Sequence, residues 1–261
     1  AIGLLSFRTM KTIAILGCGN IGNIVAGHTT TFEVVAVHDR IAERREKLAS
    51  RTGAVDCPDF STLLAQEFDL LLECASADAV RRLVPDALKN GQDVVILSVG
   101  ALADQGLYAE LESAARARGT RLLVPSGAVM GLDALKIGRI SPFRRLLLRT
   151  TKPPAALGCE AQEKTCLFRG RAGEAVERFP RNINVATSIS LAAGRECEVE
   201  IWADPEASGN RHQIFAEGEF GHAEISVDNV PSPDNPQTSY LAALSVLALI
   251  EDYDSPIKVG T

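Results

Sequence analysis

The sequence predicts an α/β protein: an N-terminal doubly wound parallel sheet, then a smaller α+β domain with a mixed, open sheet. Three observations predict it. Short apolar runs alternate with helical patterns through the first half of the chain. A Gly17-x-Gly19-x-x-Gly22 turn joins the first such run to a helix. In the second half, runs such as ECEVEIWAD alternate acidic with apolar residues, the mark of a strand with one wet face.

The apolar, β-rich runs fall at 11–16, 33–37, 69–74, 93–97 and 121–124. Val, Ile and Leu without alternation suit a sheet buried on both faces. Helices lie between them. In ADAVRRLVPDALKNG, Val80, Leu83, Val84, Ala87 and Leu88 form one face, and Gly91 is the stop. In DQGLYAELESAARARG the expected face is Tyr108, Leu111 and Ala115, closed by Gly119. Strands alternating with helices imply right-handed crossovers and a parallel sheet.

The second half reads differently. FRRLLLRTTKPP is a strand ending at Pro153 and Pro154, TCLFRG a short strand, and AGEAVERF a short helix. NINVATSISLAAG is a helix closed by Gly194. Strands at 211–217 and 222–228 form a hairpin, with Gly218 and Gly221 flanking its GEFG reversal. That reversal is expected to set the return strand behind the first one. PSPDNP reads as a loop, and the last helix, 237–251, carries Leu241, Leu244, Leu247 and Ala248 on one face. The expected division is a nucleotide domain at 1–125, a catalytic and dimerisation domain at 126–236, and a C-terminal segment, 237–261, that packs back on the first domain.

Composition narrows the function. The chain has 261 residues, 46% of them apolar, and a net charge of −6. It offers no basic field for nucleic acid or an anionic membrane. No apolar run reaches the roughly 18 residues of a membrane span. The opening AIGLLSFRTM is too short for a signal peptide, so the fold is expected to begin near Met10 and the protein to be cytoplasmic. The six cysteines show no C-x-x-C, so no metal site is expected. Cys18 and Cys74 read as small apolar residues.

The cofactor signal is IAILGCGNIGNIVAG. Its glycines serve a tight turn, close approach to a pyrophosphate, and helix-to-strand packing. The helix that starts at Asn20 and Ile21 offers free N–H groups to phosphates. Asp39 ends the second strand about twenty residues on, where ribose hydroxyls would lie. Together these make a Rossmann fingerprint. Asp39 favours NAD, since a carboxylate repels a 2′-phosphate. Arg40 and Arg44 are near enough to receive that phosphate, so NADP stays open. His38 is expected to be exposed near the adenine. Three small-residue turns follow later strands: ASADA with Ala75 and Ser76, SVGAL with Ser98, and PSGAVMG with Ser126. They are either nicotinamide contacts or ordinary serine-capped turns.

The runs PSGAVMGLDAL, TTKPP, FPRNINVAT, ADPEASGNRHQI, GEFG and NPQTSYLAALS follow that fingerprint in order. From Met10 to about Ile250 the chain resembles the archaeal and bacterial L-aspartate dehydrogenases. The resemblance implies oxidative deamination of L-aspartate with NAD or NADP. The product would be iminoaspartate, or oxaloacetate and ammonia after hydrolysis, and the imine could feed NAD biosynthesis. It also implies a homodimer. It places the catalytic histidine at His212 in N-x-H-x-I, and cofactor contacts at Ala128 and Asn184. Asn182 is a further candidate.

The chemistry agrees with a histidine. A substrate ammonium must lose a proton before an imine can form, and a group titrating near neutrality suits that task. His222 and His28 have no such setting. The two substrate carboxylates need cations or donors, for which Lys136, Lys152, Arg211, Ser126 and the helix start after Asn182 are candidates. Two other readings compete: a two-domain reductase resembling dihydrodipicolinate reductase or homoserine dehydrogenase, and a nicotinamide-binding sensor without turnover.

Overall fold

The computed structural model describes residues 10–179, 183–233 and 235–260. Strands β1 (Lys11–Leu16), β2 (Phe32–His38), β3 (Val55–Asp56), β4 (Leu70–Glu73), β5 (Asp93–Ile96) and β6 (Leu122–Leu123) form one sheet. Every pairing is parallel, and the order is β3-β2-β1-β4-β5-β6. Successive residues feed opposite faces. Ile13 and Ile15 join a core with helices α1 (Asn20–His28) and α2 (Ala42–Thr52). Ala14 and Leu16 join another with α3 (Phe60–Leu64), α4 (Ala77–Asn90) and α5 (Gln105–Arg118). Burial on both faces explains why these strands read as unbroken apolar runs. β3, only two exposed residues long, gave no such signal.

The buried face of α5 is Leu107, Leu111 and Ala114, which keeps Leu111 of the expected face and leaves Ala115 half-buried against the same core. Those three lie at i, i+4 and i+7. Tyr108, one residue around the helix, is 36% exposed.

The second sheet contains β7 (Arg145–Lys152), β8 (Thr165–Arg171), β9 (Glu198–Ala203), β10 (Asn210–Gly218) and β11 (Gly221–Asn229), in the order β11-β10-β7-β9-β8. β7 and β9 are parallel and the other pairs antiparallel. Helices α6 (Leu132–Leu135), α7 (Ala172–Arg178) and α8 (Ile183–Ala193) cover one face. Leu148, Val199, Ile201 and Ile214 point into that core. The opposite face carries Arg149, Trp202 and Phe215, with Arg149 Nε 2.8 Å from Glu200 Oε2. In the hairpin, Gly218 pairs with Gly221. β11 therefore lies beside β10 in the same sheet and not behind it.

The PSPDNP segment is not all loop. β12 (Pro231–Ser232) pairs with β13 (Asn235–Ser239). The last helix, α9 (Tyr240–Glu251), therefore starts later than expected, with Ser239 as its N-cap. It returns to the first sheet, where Val246 and Ile250 join Ile13, Val25 and Phe32. Its buried residues are Ala243, Ser245, Val246 and Ile250, while Leu244 is 40% exposed. The helix is apolar all round, so periodicity could not choose its face.

Candidate functional site

The strand order of the first sheet reverses between β1 and β4, the place where α/β sheets bind ligands. The glycine turn follows β1 there. Gly17 has φ +108°, and a Cβ on it would lie 2.8 Å from Ala75 N. A Cβ on Gly22 would lie 2.2 Å from Gly17 O. Gly19 differs: a Cβ there would meet nothing within 4 Å. Two glycines thus permit the turn to pack, and the middle one keeps space clear at the start of α1. No side chain caps that helix. An uncapped N-terminus with open space before it fits a dinucleotide pyrophosphate.

This turn opens on a cleft of about 830 Å³ lined by Gly17, Gly19, Asp39, Arg40, Ala75 and Ser76, among others. Arg44 lines it too. Asp39 Oδ2 accepts from Cys18 N at 2.8 Å and Oδ1 from Ile41 N at 2.8 Å. The carboxylate staples the glycine turn to the end of β2. His38 is half-buried, with Nδ1 2.8 Å from Cys57 O, because β3 brings that carbonyl over its ring. Ser76 caps α4 by accepting from Ala79 N at 3.1 Å. Its hydroxyl has that structural role, and the residue also lines the cleft.

Glu73, the last residue of β4, is fully buried. Its Oε1 accepts from Ala75 N, Ser76 N and Ser98 Oγ, each at 2.9 Å. Its Oε2 accepts from Ser98 N at 3.1 Å. Burial pushes its carboxyl above the usual range, and these four donors pull the other way. One side chain thus fixes the turns after both β4 and β5.

A second cavity, of about 300 Å³, lies between the two sheets. Ile21, Ser98, Ser126, Ala128, Lys152, Asn184 and His212 all line it, and Cys74 lines both cavities. The two spaces therefore meet the same residue, Cys74, at the turn after β4. His212 is 5% exposed, and its Nδ1 lies 3.0 Å from Thr150 Oγ1 on the neighbouring strand. Burial first, and the Lys152 charge second, push its imidazole down to about 3. Asn184 Oδ1 accepts from Gly100 N at 2.8 Å, joining α8 to the turn after β5. Ala128 O accepts from Asn229 Nδ2 at 3.1 Å, and Asn229 Oδ1 accepts from Ser239 Oγ. Asn20 reaches the second half of the chain, donating to Ser232 Oγ at 2.8 Å.

Other expected residues lie apart. Arg211 neighbours His212 along β10, so it points to the opposite sheet face, where it pairs with Asp228. Lys136 lines a different cleft. His222 is exposed at the start of β11. Asn182 lies outside the described residues. The six cysteines are free thiols. Burial pushes Cys18 up to about 12 and Cys74 well above its ordinary value.

Comparison with known proteins fits this geometry. Residues 133–253 match a family model described as the C-terminal part of aspartate dehydrogenase. An L-aspartate dehydrogenase from Methanospirillum hungatei is 50% identical over 97% of this chain and 100% of its own length. The chain belongs to the L-aspartate dehydrogenase family. The family's protein from Methanocaldococcus jannaschii is 39% identical over 97% of this chain and 100% of its own. The crystal structure of aspartate dehydrogenase from Thermotoga maritima superimposes with a TM-score of 0.82 at 31% identity, covering 96% of this chain and 99% of that one. Residues 17–125 match the NAD-binding domain of homoserine dehydrogenase. The match to the homoserine enzyme stops at that domain, and the second half follows aspartate dehydrogenase.

For a member of the L-aspartate dehydrogenase family, two supports of this site escaped sequence reasoning. They are Glu73, inside the apolar run at 69–74, and Asn229, between the strand expected at 222–228 and the PSPDNP loop. An acid inside LLLECAS, flanked by small residues, was the available signal for Glu73.

Proposed function

We propose that this chain oxidises L-aspartate to iminoaspartate with NAD(P), and that iminoaspartate then hydrolyses to oxaloacetate and ammonia. The observation that carries the reading is His212. It is a buried, neutral imidazole tied to Thr150, in a cavity that Ile21 of α1, Ser98 and Asn184 also line. When bound, the dinucleotide supplies a hydride acceptor for the substrate Cα–H.

The chain's own residues do the rest. Glu73 and Asn184 hold the turns after β4 and β5, and Asn229 holds Ala128, so the nicotinamide end meets fixed walls. Thr150 occupies His212 Nδ1, leaving Nε2 for the substrate. Nε2 takes a proton from the substrate ammonium, freeing the lone pair that forms the C=N bond. The same nitrogen can return a proton during hydrolysis.

The Asp39 carboxylate beside the adenosine cleft supports NAD as the preferred form. No helix among the described residues is long and apolar enough to cross a membrane. A cytoplasmic homodimer is part of this proposal. Its support is the family resemblance, together with the Phe215 and Trp202 rings on the sheet face opposite the one that α6, α7 and α8 cover.

The test is NADH formation followed by absorbance with L-aspartate and NAD. L-glutamate, L-homoserine and D-aspartate serve as controls. Turnover should be selective for L-aspartate, and no absorbance rise with it, despite NAD binding, would overturn the reading. Light scattering on the eluting protein checks the dimer.

A further inference from the structure

The cavity beside His212 must receive a molecule with two carboxylates. Among the described residues that line it, the one full charge belongs to Lys152. Lys152 ends β7 and is half-buried. It is two residues beyond Thr150, so it stands on the same sheet face as Thr150 and His212, about 7 Å further along the strand. One amino-dicarboxylate can span that step, with its amine at the imidazole and a carboxylate at the ammonium.

We propose that Lys152 holds a carboxylate of the substrate, and that this docking converts His212 into an effective proton acceptor. The proposal rests on the aspartate-oxidising reading above. Without substrate, burial and the Lys152 ammonium act on the imidazole in the same direction, and the ring binds protons weakly. A carboxylate docked on Lys152 cancels one of these two influences where a proton must be taken up.

The other groups around the ring cannot supply this change. The Cys74 thiol, pushed well above its ordinary value, stays uncharged. The Glu73 carboxylate is tied behind Ser98. From α8 and the segment leading into α9 come the amide of Asn184 and the hydroxyls of Ser188, Thr238 and Ser239. Arg211 and Asp228 pair on the far face of the sheet. A ligand without a carboxylate at Lys152 would leave the base weak, so binding and reactivity select the same substrate.

The experiment uses the full chain with saturating NAD. Lys152→Met should raise KM for L-aspartate at least 50-fold and leave the NAD Kd within twofold. Lys152→Arg should recover part of the loss, and NAD binding by both variants reports that they fold. Histidine-labelled protein is then titrated by NMR with and without succinate, a dicarboxylate that lacks the amine. Succinate should raise the proton affinity of His212 at least tenfold in the wild type and not in Lys152→Met. An aspartate KM within threefold of wild type in Lys152→Met would overturn the proposal, as would a His212 titration that succinate does not move. The succinate titration needs no turnover. A wild type inert toward L-aspartate would therefore count against the proposed reaction and leave the Lys152 result readable.

Discussion

His212 Nδ1 and Thr150 Oγ1 face each other across β10 and β7 at 3.0 Å, and both groups are buried. The two residues are direct partners in the antiparallel register. The sheet itself therefore sets the ring's orientation. A threonine hydroxyl can accept from Nδ1–H, which keeps the Nε2 lone pair for the substrate.

Thr150→Val keeps the shape and removes that partner. Steady-state kinetics should show kcat for L-aspartate falling by about tenfold or more, with NAD affinity unchanged. Thr150→Ser should stay near wild type. A Val variant with full kcat would show that the hydroxyl does not set the ring.

Asp39→Asn retains an acceptor for Cys18 N while removing the charge beside Arg40 and Arg44. The ratio of kcat/KM for NADP to that for NAD should rise by roughly tenfold, about 1.4 kcal/mol of discrimination. The measurement is paired initial rates with the two coenzymes.

Glu73→Gln turns one of four acceptor contacts into a donor facing a donor. Urea unfolding should show a loss of about 2–3 kcal/mol, since a buried polar group is left without a partner. The NAD Kd should also weaken, because the turns after β4 and β5 lose their common anchor. Unchanged NAD affinity in a folded variant would confine Glu73 to stability.

The fold should weaken in mild acid through His212. Its folded value of about 3 lies below the ordinary value of 6.5. Below pH 6.5 the unfolded chain takes up a proton that the fold refuses. This contribution to stability is therefore complete above pH 6.5 and is lost as pH falls toward 3. By pH 5 the loss is roughly 2 kcal/mol. Urea midpoints at pH 7 and pH 5 should show it in the wild type, and less of it in His212→Gln.

Much of this was legible in the sequence. The glycine turn, the strand before it and Asp39 pointed to the cleft that Gly17, Gly19 and Asp39 line, because each residue there answers a backbone constraint that few others meet. His212 and Asn184 came from the family resemblance, and the cavity brings both together. Arg211 follows the strand alternation: as the neighbour of His212 on β10 it takes the opposite sheet face and pairs with Asp228. Glu73 and Asn229 were not legible, since their partners are backbone groups of distant turns and carry no residue signature. The buried face of α9 was hidden by its all-round apolar composition.

The position of α9 also bears on how the protein is made. Val246 and Ile250 complete the core that Ile13, Val25 and Phe32 begin, more than two hundred residues earlier. As the chain leaves the ribosome, the nucleotide-binding half waits with that apolar strip uncovered while the second sheet is synthesised. Its folding can close only when the last helix emerges, so the first half to be translated is among the last to be finished.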